Sequence, residues 1–158
     1  GPGAEPDPTQ NLIQVLAGLV FLATFAVPGL DRRLGWSHVP WIVSLAADAV
    51  IAAGFAIVFL TFRANTFTAG TVEIAEGQRV IDAGPYAVVR HPMYAGALLL
   101  VAGVPLALGS WWGLAPAALL VPVIVWRLIR EESFLEAHLE GYGDYRRRVR
   151  RRLVPILW

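Results

Sequence analysis

Two short runs in this chain have residue types and spacing that could do chemistry. The first is Arg90-His91-Pro92-Met93-Tyr94, where a polar segment becomes a long apolar one. Proline is favoured at the first helical position because its missing N–H is not needed there, so Pro92 predicts a helix start. The free N–H groups and positive dipole end of that helix could hold a carboxylate. A plainer reading makes the run an interfacial cap, with Arg90 at lipid phosphates and Tyr94 in an aromatic belt. The second run is Trp126-Arg127-Leu128-Ile129-Arg130-Glu131-Glu132. Arg127 and Glu131 are four apart and share a helix face, as do Trp126 and Arg130. A guanidinium fork grips a carboxylate bidentately, and a carboxylate favours a nearby cation. The plainer reading here is a juxtamembrane ion pair, worth about 0.3–0.5 kcal/mol when exposed.

The elements that must position these residues follow from where the charges are missing. Of 158 residues, 56% are hydrophobic and 16% charged, against about a quarter charged in a soluble domain. Three stretches, 12–30, 39–62 and 94–126, contain Asp48 as their only acidic or basic residue. Runs of about 20 apolar residues read as membrane-spanning helices. The third stretch is too long for one crossing and breaks near Gly109 and Ser110, which predicts a helical hairpin. The expected fold is an all-α polytopic membrane protein with four transmembrane helices, at about 12–30, 39–62, 93–109 and 111–129. Residues 11–158 form one domain after a polar tail, 1–10, whose Gly1-Pro2-Gly3 start resembles a protease-cleavage remnant.

The basic residues, all arginine, set the orientation. Arg63, Arg79 and Arg90 on one polar segment, and Arg127, Arg130 and the run 146–152 on the other, place the loop 63–91 and the tail 130–158 in the cytoplasm by the positive-inside rule; Arg32 and Arg33 argue weakly against it. One site could then draw on both segments. Within the loop, 71–74 and 78–81 are β-prone runs that suggest a small hairpin, and Gly84-Pro85 signals a turn. In the tail, Phe134, Leu135, His138, Leu139 and Tyr142 recur at helical spacing, predicting an amphipathic helix after the fourth span. Residues 153–158, ending in Trp158, suit the interface. Asp48 is expensive in hydrocarbon and should face a cavity or a polar partner. With no cysteine there is neither a disulfide nor a thiolate metal site, and no metal is expected.

Together the two runs resemble the isoprenylcysteine carboxyl methyltransferase family and its relatives, which include phospholipid N-methyltransferases. The matching residues are Gly84-Pro85-Tyr86, Arg90-His91-Pro92-Met93-Tyr94-Ala95-Gly96, Arg127 with Glu131-Glu132, Leu135, Gly141-Tyr142, Tyr145 and Arg148-Val149. They stand in the family's order across roughly half the chain, from Gln78 to Pro155.

The resemblance implies a membrane enzyme that transfers methyl from S-adenosylmethionine to a lipophilic acceptor, with the cofactor closed in by the cytoplasmic loop and tail. It implies cofactor contacts from Tyr86, His91, Pro92, Met93, Tyr94 and Glu131, with backbone from Gln78, Arg79, Val80 and Ile81. Arg127 would orient the substrate, and Arg127 and Glu131 are the candidate catalytic pair. The chemistry is consistent: a sulfonium and an ammonium favour a carboxylate, and adenine favours aromatic faces. The implied partners are a lipophilic or prenylated substrate from the bilayer and membrane lipids, and not nucleic acid. Two other readings stay open. Sterol-type NADPH-dependent membrane reductases share an Arg-His-Pro-x-Tyr element, though Ala97 stands where they commonly carry glutamate. A non-catalytic scaffold could bind anionic lipid through 146–152, each arginine adding about 1 kcal/mol.

Overall fold

The computed structural model describes residues 8–65 and 79–155. Among these the chain is helical, with no strand: α1 (Pro8–Leu34), α2 (Trp41–Ala64), a 3-10 turn (Gly84–Ala87), α3 (Pro92–Ala107), α4 (Leu114–His138) and α5 (Tyr142–Arg148). Helices α1 and α2 are long and apolar enough to cross a membrane. Helix α3 has 16 residues, about 24 Å at 1.5 Å per residue, and α4 carries its apolar residues before Arg127. Large side chains stand exposed along α2, including Trp41 at 75% and Phe55 and Phe59 at 61% each. Apolar surface this continuous calls for cover by lipid or protein.

The chain divides into two compact units. The first takes Gly1–Ala49 with Val101–Val123. Its organising residue is Asp31, fully buried near the end of α1. Its carboxylate accepts from the Ser37 amide at 2.7 Å, the Ser37 hydroxyl at 2.5 Å and the Ser110 hydroxyl at 2.5 Å. A buried carboxylate is tolerated only when so satisfied. These bonds join the turn after α1 to the turn between α3 and α4, and the Trp111 indole adds one to the His38 carbonyl at 3.1 Å. The helical break lies at 108–113, as Gly109 and Ser110 predict. Helix α1 runs past its predicted end at 30 because Asp31 is buried at its terminus instead of opening a polar loop.

The second unit takes Val50–Leu100 with Ile124–Trp158. Here α2 and α3 cross so closely that a Cβ on Gly96 would lie 2.8 Å from Val58 Cγ2 and 2.9 Å from the Gly54 carbonyl oxygen. The glycine after Tyr94-Ala95 is therefore a packing requirement. Helix α4 continues without interruption to His138, so Phe134, Leu135 and His138 belong to it and the separate amphipathic helix is not formed. The chain turns at Gly141, whose φ of 80° is left-handed, and resumes as the seven-residue α5. Of the expected β-hairpin, 71–78 lies outside the described residues, and 79–81 is irregular. Asp48 is exposed on α2 and has no hydrogen bond or ion pair among the described residues, so the polar partner expected for it is not found among them.

Candidate functional site

Pro92 opens α3, as its place after Arg90-His91 predicts, and this sets Tyr94 within the first turn. In the second unit its hydroxyl donates to Glu131 Oε2 at 2.5 Å and accepts from Arg127 Nε at 3.1 Å. One phenol from α3 thus stands between the two residues of α4 that helical spacing put on one face. The other Glu131 oxygen, Oε1, accepts no hydrogen bond among the described residues. Trp126 and Arg130 also meet, with the guanidinium 5.7 Å from the ring centroid.

His91 turns elsewhere. Its Nε2 lies 3.3 Å from Glu132 Oε1, without the alignment of a hydrogen bond. Its ring is 5.8 Å from that of Tyr94. Arg90 is 6% exposed, which removes the reading that sets it at lipid phosphates. Its Nε donates to Glu132 Oε1 at 2.5 Å and its NH1 to the Val149 carbonyl at 2.8 Å. Arg152 donates to Glu132 Oε2 at 2.8 Å. Burial pushes the Glu132 carboxyl up, but hydrogen bonds and charge from the surrounding basic groups outweigh it and hold the pKa at about 2. Glu132 is therefore an anion between the buried Arg90 and the partly exposed Arg152, and it ties the start of α3 to the C-terminal segment.

Backbone bonds complete that tie, from the Arg90 amide to the Arg151 carbonyl and from the His91 amide to the Arg152 carbonyl, both at 2.9 Å. Tyr145 donates to the Tyr86 carbonyl at 2.8 Å, and Asn65 Nδ2 to the Tyr86 hydroxyl at 3.2 Å. Arg148 donates to Asp82 at 2.9 Å. The Tyr142 and Tyr145 phenols are both raised in pKa, by burial first and by neighbouring negative charge or phenols second.

Of the residues marked from sequence, Tyr94, Arg127 and Glu131 meet at one hydroxyl, and His91, Pro92 and Met93 adjoin them in chain. Arg79, Val80 and Ile81 form an irregular segment before the 3-10 turn; Gln78 lies outside the described residues. Sequence reasoning placed none of Glu132, Arg152 and Tyr142 in the site, although Glu132 and Tyr142 stood among the matched residues and Arg152 in the arginine run. For Glu132 there was a signal: consecutive helical residues point about 100° apart, so Glu131 and Glu132 cannot serve one contact.

The family model described as phospholipid methyltransferase matches residues 42–142. The chain belongs to this family. The match runs from α2 to the first residue of α5 and takes in both runs from which the site was read. No curated protein matches the chain. Membership in the phospholipid methyltransferase family makes the chain a methyltransferase of lipid-related substrates, and its two long apolar helices accord with a membrane protein.

Proposed function

We propose that the protein transfers a methyl group from S-adenosylmethionine to a lipophilic acceptor taken from the bilayer, through a site facing the cytoplasm of a four-span membrane protein. The observation that carries this reading is the Tyr94 hydroxyl held between Glu131 and Arg127. It fixes a carboxylate and a guanidinium beside one another at the helix start marked by His91 and Pro92. Glu131 Oε1, with no partner among the described residues, suits the cationic end of the cofactor, so the residues present fit the group. When bound, that cofactor supplies an electrophilic methyl on a sulfonium.

The protein's own part is positioning. Arg127, oriented through Nε by Tyr94, would align an anionic acceptor for in-line attack, and exclusion of water would raise the effective concentration of the reacting pair. A carboxylate acceptor, as in the isoprenylcysteine carboxyl methyltransferases, needs no general base and suits Arg127. The family's description favours a second acceptor, a phospholipid; were its headgroup amine the acceptor, that amine would have to shed a proton before it attacks.

Thermal-shift measurements on purified protein test the reading, because a ligand that binds the native state raises its apparent stability. S-adenosylhomocysteine should raise the melting temperature and NADPH should not. Glu131→Gln should lose that shift, whereas Arg127→Ala should keep it and lose methyl transfer. A shift with NADPH alone would turn the reading to a reductase, and a shift with neither would remove it.

A further inference from the structure

The turns that close the first unit gather positive charge that the protein itself does not answer. Arg32 and Arg33 lie in the last turn of α1, both exposed, and neither has a hydrogen bond or ion pair among the described residues. Their neighbour Asp31 is buried, and its oxygens are taken up by Ser37 and Ser110. Arg32 lies against the turn between α3 and α4, with NH1 3.2 Å from where a Cβ on Gly109 would stand. The same two turns are joined by the Trp111 amide, which donates to the Ser37 hydroxyl at 3.2 Å, and by the Trp111 indole bond to the His38 carbonyl. Four of the chain's six tryptophans, Trp36, Trp41, Trp111 and Trp112, belong to this unit, and all four are exposed. Exposed indoles at the end of a membrane helix sit at headgroup level, which sets the two arginines at the depth of lipid phosphate.

We propose that Arg32 and Arg33 hold the phosphate of an anionic phospholipid. The patch contains none of Tyr94, Arg127 and Glu131, so this lipid is a bound neighbour and not the methyl acceptor, and its binding requires no cofactor. A guanidinium is always charged and grips a phosphate through two parallel N–H donors. The negative end of the α1 dipole favours a cation here, but it accounts neither for the turn against which Arg32 lies nor for the surrounding indoles. The indole N–H groups of Trp36, Trp41 and Trp112 have no acceptor among the described residues, so they can serve headgroup and ester oxygens. A zwitterionic lipid suits the patch less well, because its ammonium would enter the field of two arginines. A second copy of this chain suits it no better, since facing patches would set arginine against arginine. The proposed orientation puts these turns on the outer side, where loops carry few basic residues; a bound anionic lipid accounts for the exception.

Native mass spectrometry of the detergent-purified protein tests this with two lipids of the same acyl chains, dioleoylphosphatidylglycerol and dioleoylphosphatidylcholine. The first equivalent of phosphatidylglycerol should bind about tenfold more tightly than that of phosphatidylcholine. Arg32→Gln with Arg33→Gln should bring the two within about twofold, at an unchanged lipid-free melting temperature, since neither side chain holds a partner. Arg150→Gln with Arg151→Gln removes the same charge from the exposed tail and should keep the wild-type preference. Equal affinity of the wild type for both lipids overturns the proposal. So does an equal loss in the two paired variants, which would make the preference one of net charge. The soluble headgroup fragment sn-glycerol 3-phosphate should not displace the lipid; if it does, the ligand is a free phosphate and the lipid is refuted. A lowered lipid-free melting temperature for the Arg32 and Arg33 variant would make these residues structural and likewise overturn it.

Discussion

Adjacent glutamates in this chain do different work. Glu131 meets Tyr94 through one oxygen while its other accepts no hydrogen bond among the described residues, and Glu132 is enclosed by Arg90, His91 and Arg152. Removing one member of a buried ion pair leaves the other uncompensated, so Glu132→Gln should cost about 3–5 kcal/mol of stability. Acid should do the same to the wild type. The Glu132 carboxyl falls from an ordinary 4.5 to about 2 in the folded protein. A depressed pKa contributes stability that is complete above the unfolded value and is lost as pH falls through the folded one. Melting temperatures between pH 5 and pH 2 should therefore drop more steeply for wild type than for Glu132→Gln; parallel curves would refute the assignment. Tyr94, Arg127 and Glu131 were legible in the sequence because a helix start and an i, i+4 spacing are local facts. The clamp was not, because Arg152 lies 20 residues beyond Glu132 and nothing local reveals that the tail returns.

At the scale of elements, hydropathy located the helices and the break between α3 and α4, but misjudged where α4 ends. Charge marks the exit from hydrocarbon, whereas a helix stops where its backbone is interrupted. Between Leu114 and Glu140 there is no glycine, and the first, Gly141, is where the chain turns. Gly96 was legible as part of a motif but not as a packing residue, since Gly54 and Val58 approach it from another helix. Gly96→Val should lose about 1–3 kcal/mol, because one clashing atom is backbone and cannot rotate away. Gly18→Val is the matched control, with nothing within 4 Å of the added Cβ. Similar melting temperatures for the two variants in detergent would show that the crossing is looser than described.

For the whole molecule, the arginine distribution predicts that the turn after α1 and the end of α4 lie on opposite sides of the membrane. The chain has no cysteine, so single cysteines at the exposed His38 and Ser133 report without background. In intact cells an impermeant thiol reagent should label His38→Cys, and Ser133→Cys only after permeabilisation; the reverse pattern would invert the topology. The Asp31 clasp bears on something else, the order in which the parts can come together. Ser37, six residues after Asp31, supplies two of its hydrogen bonds, whereas Ser110 comes 79 residues after it. A growing chain therefore neutralises the cost of this carboxylate as soon as the first turn is made, before α3 and α4 exist. In the proposed four-span arrangement the α1–α2 hairpin can form first, and Ser110 comes later to bring the turn between α3 and α4 to the same carboxylate.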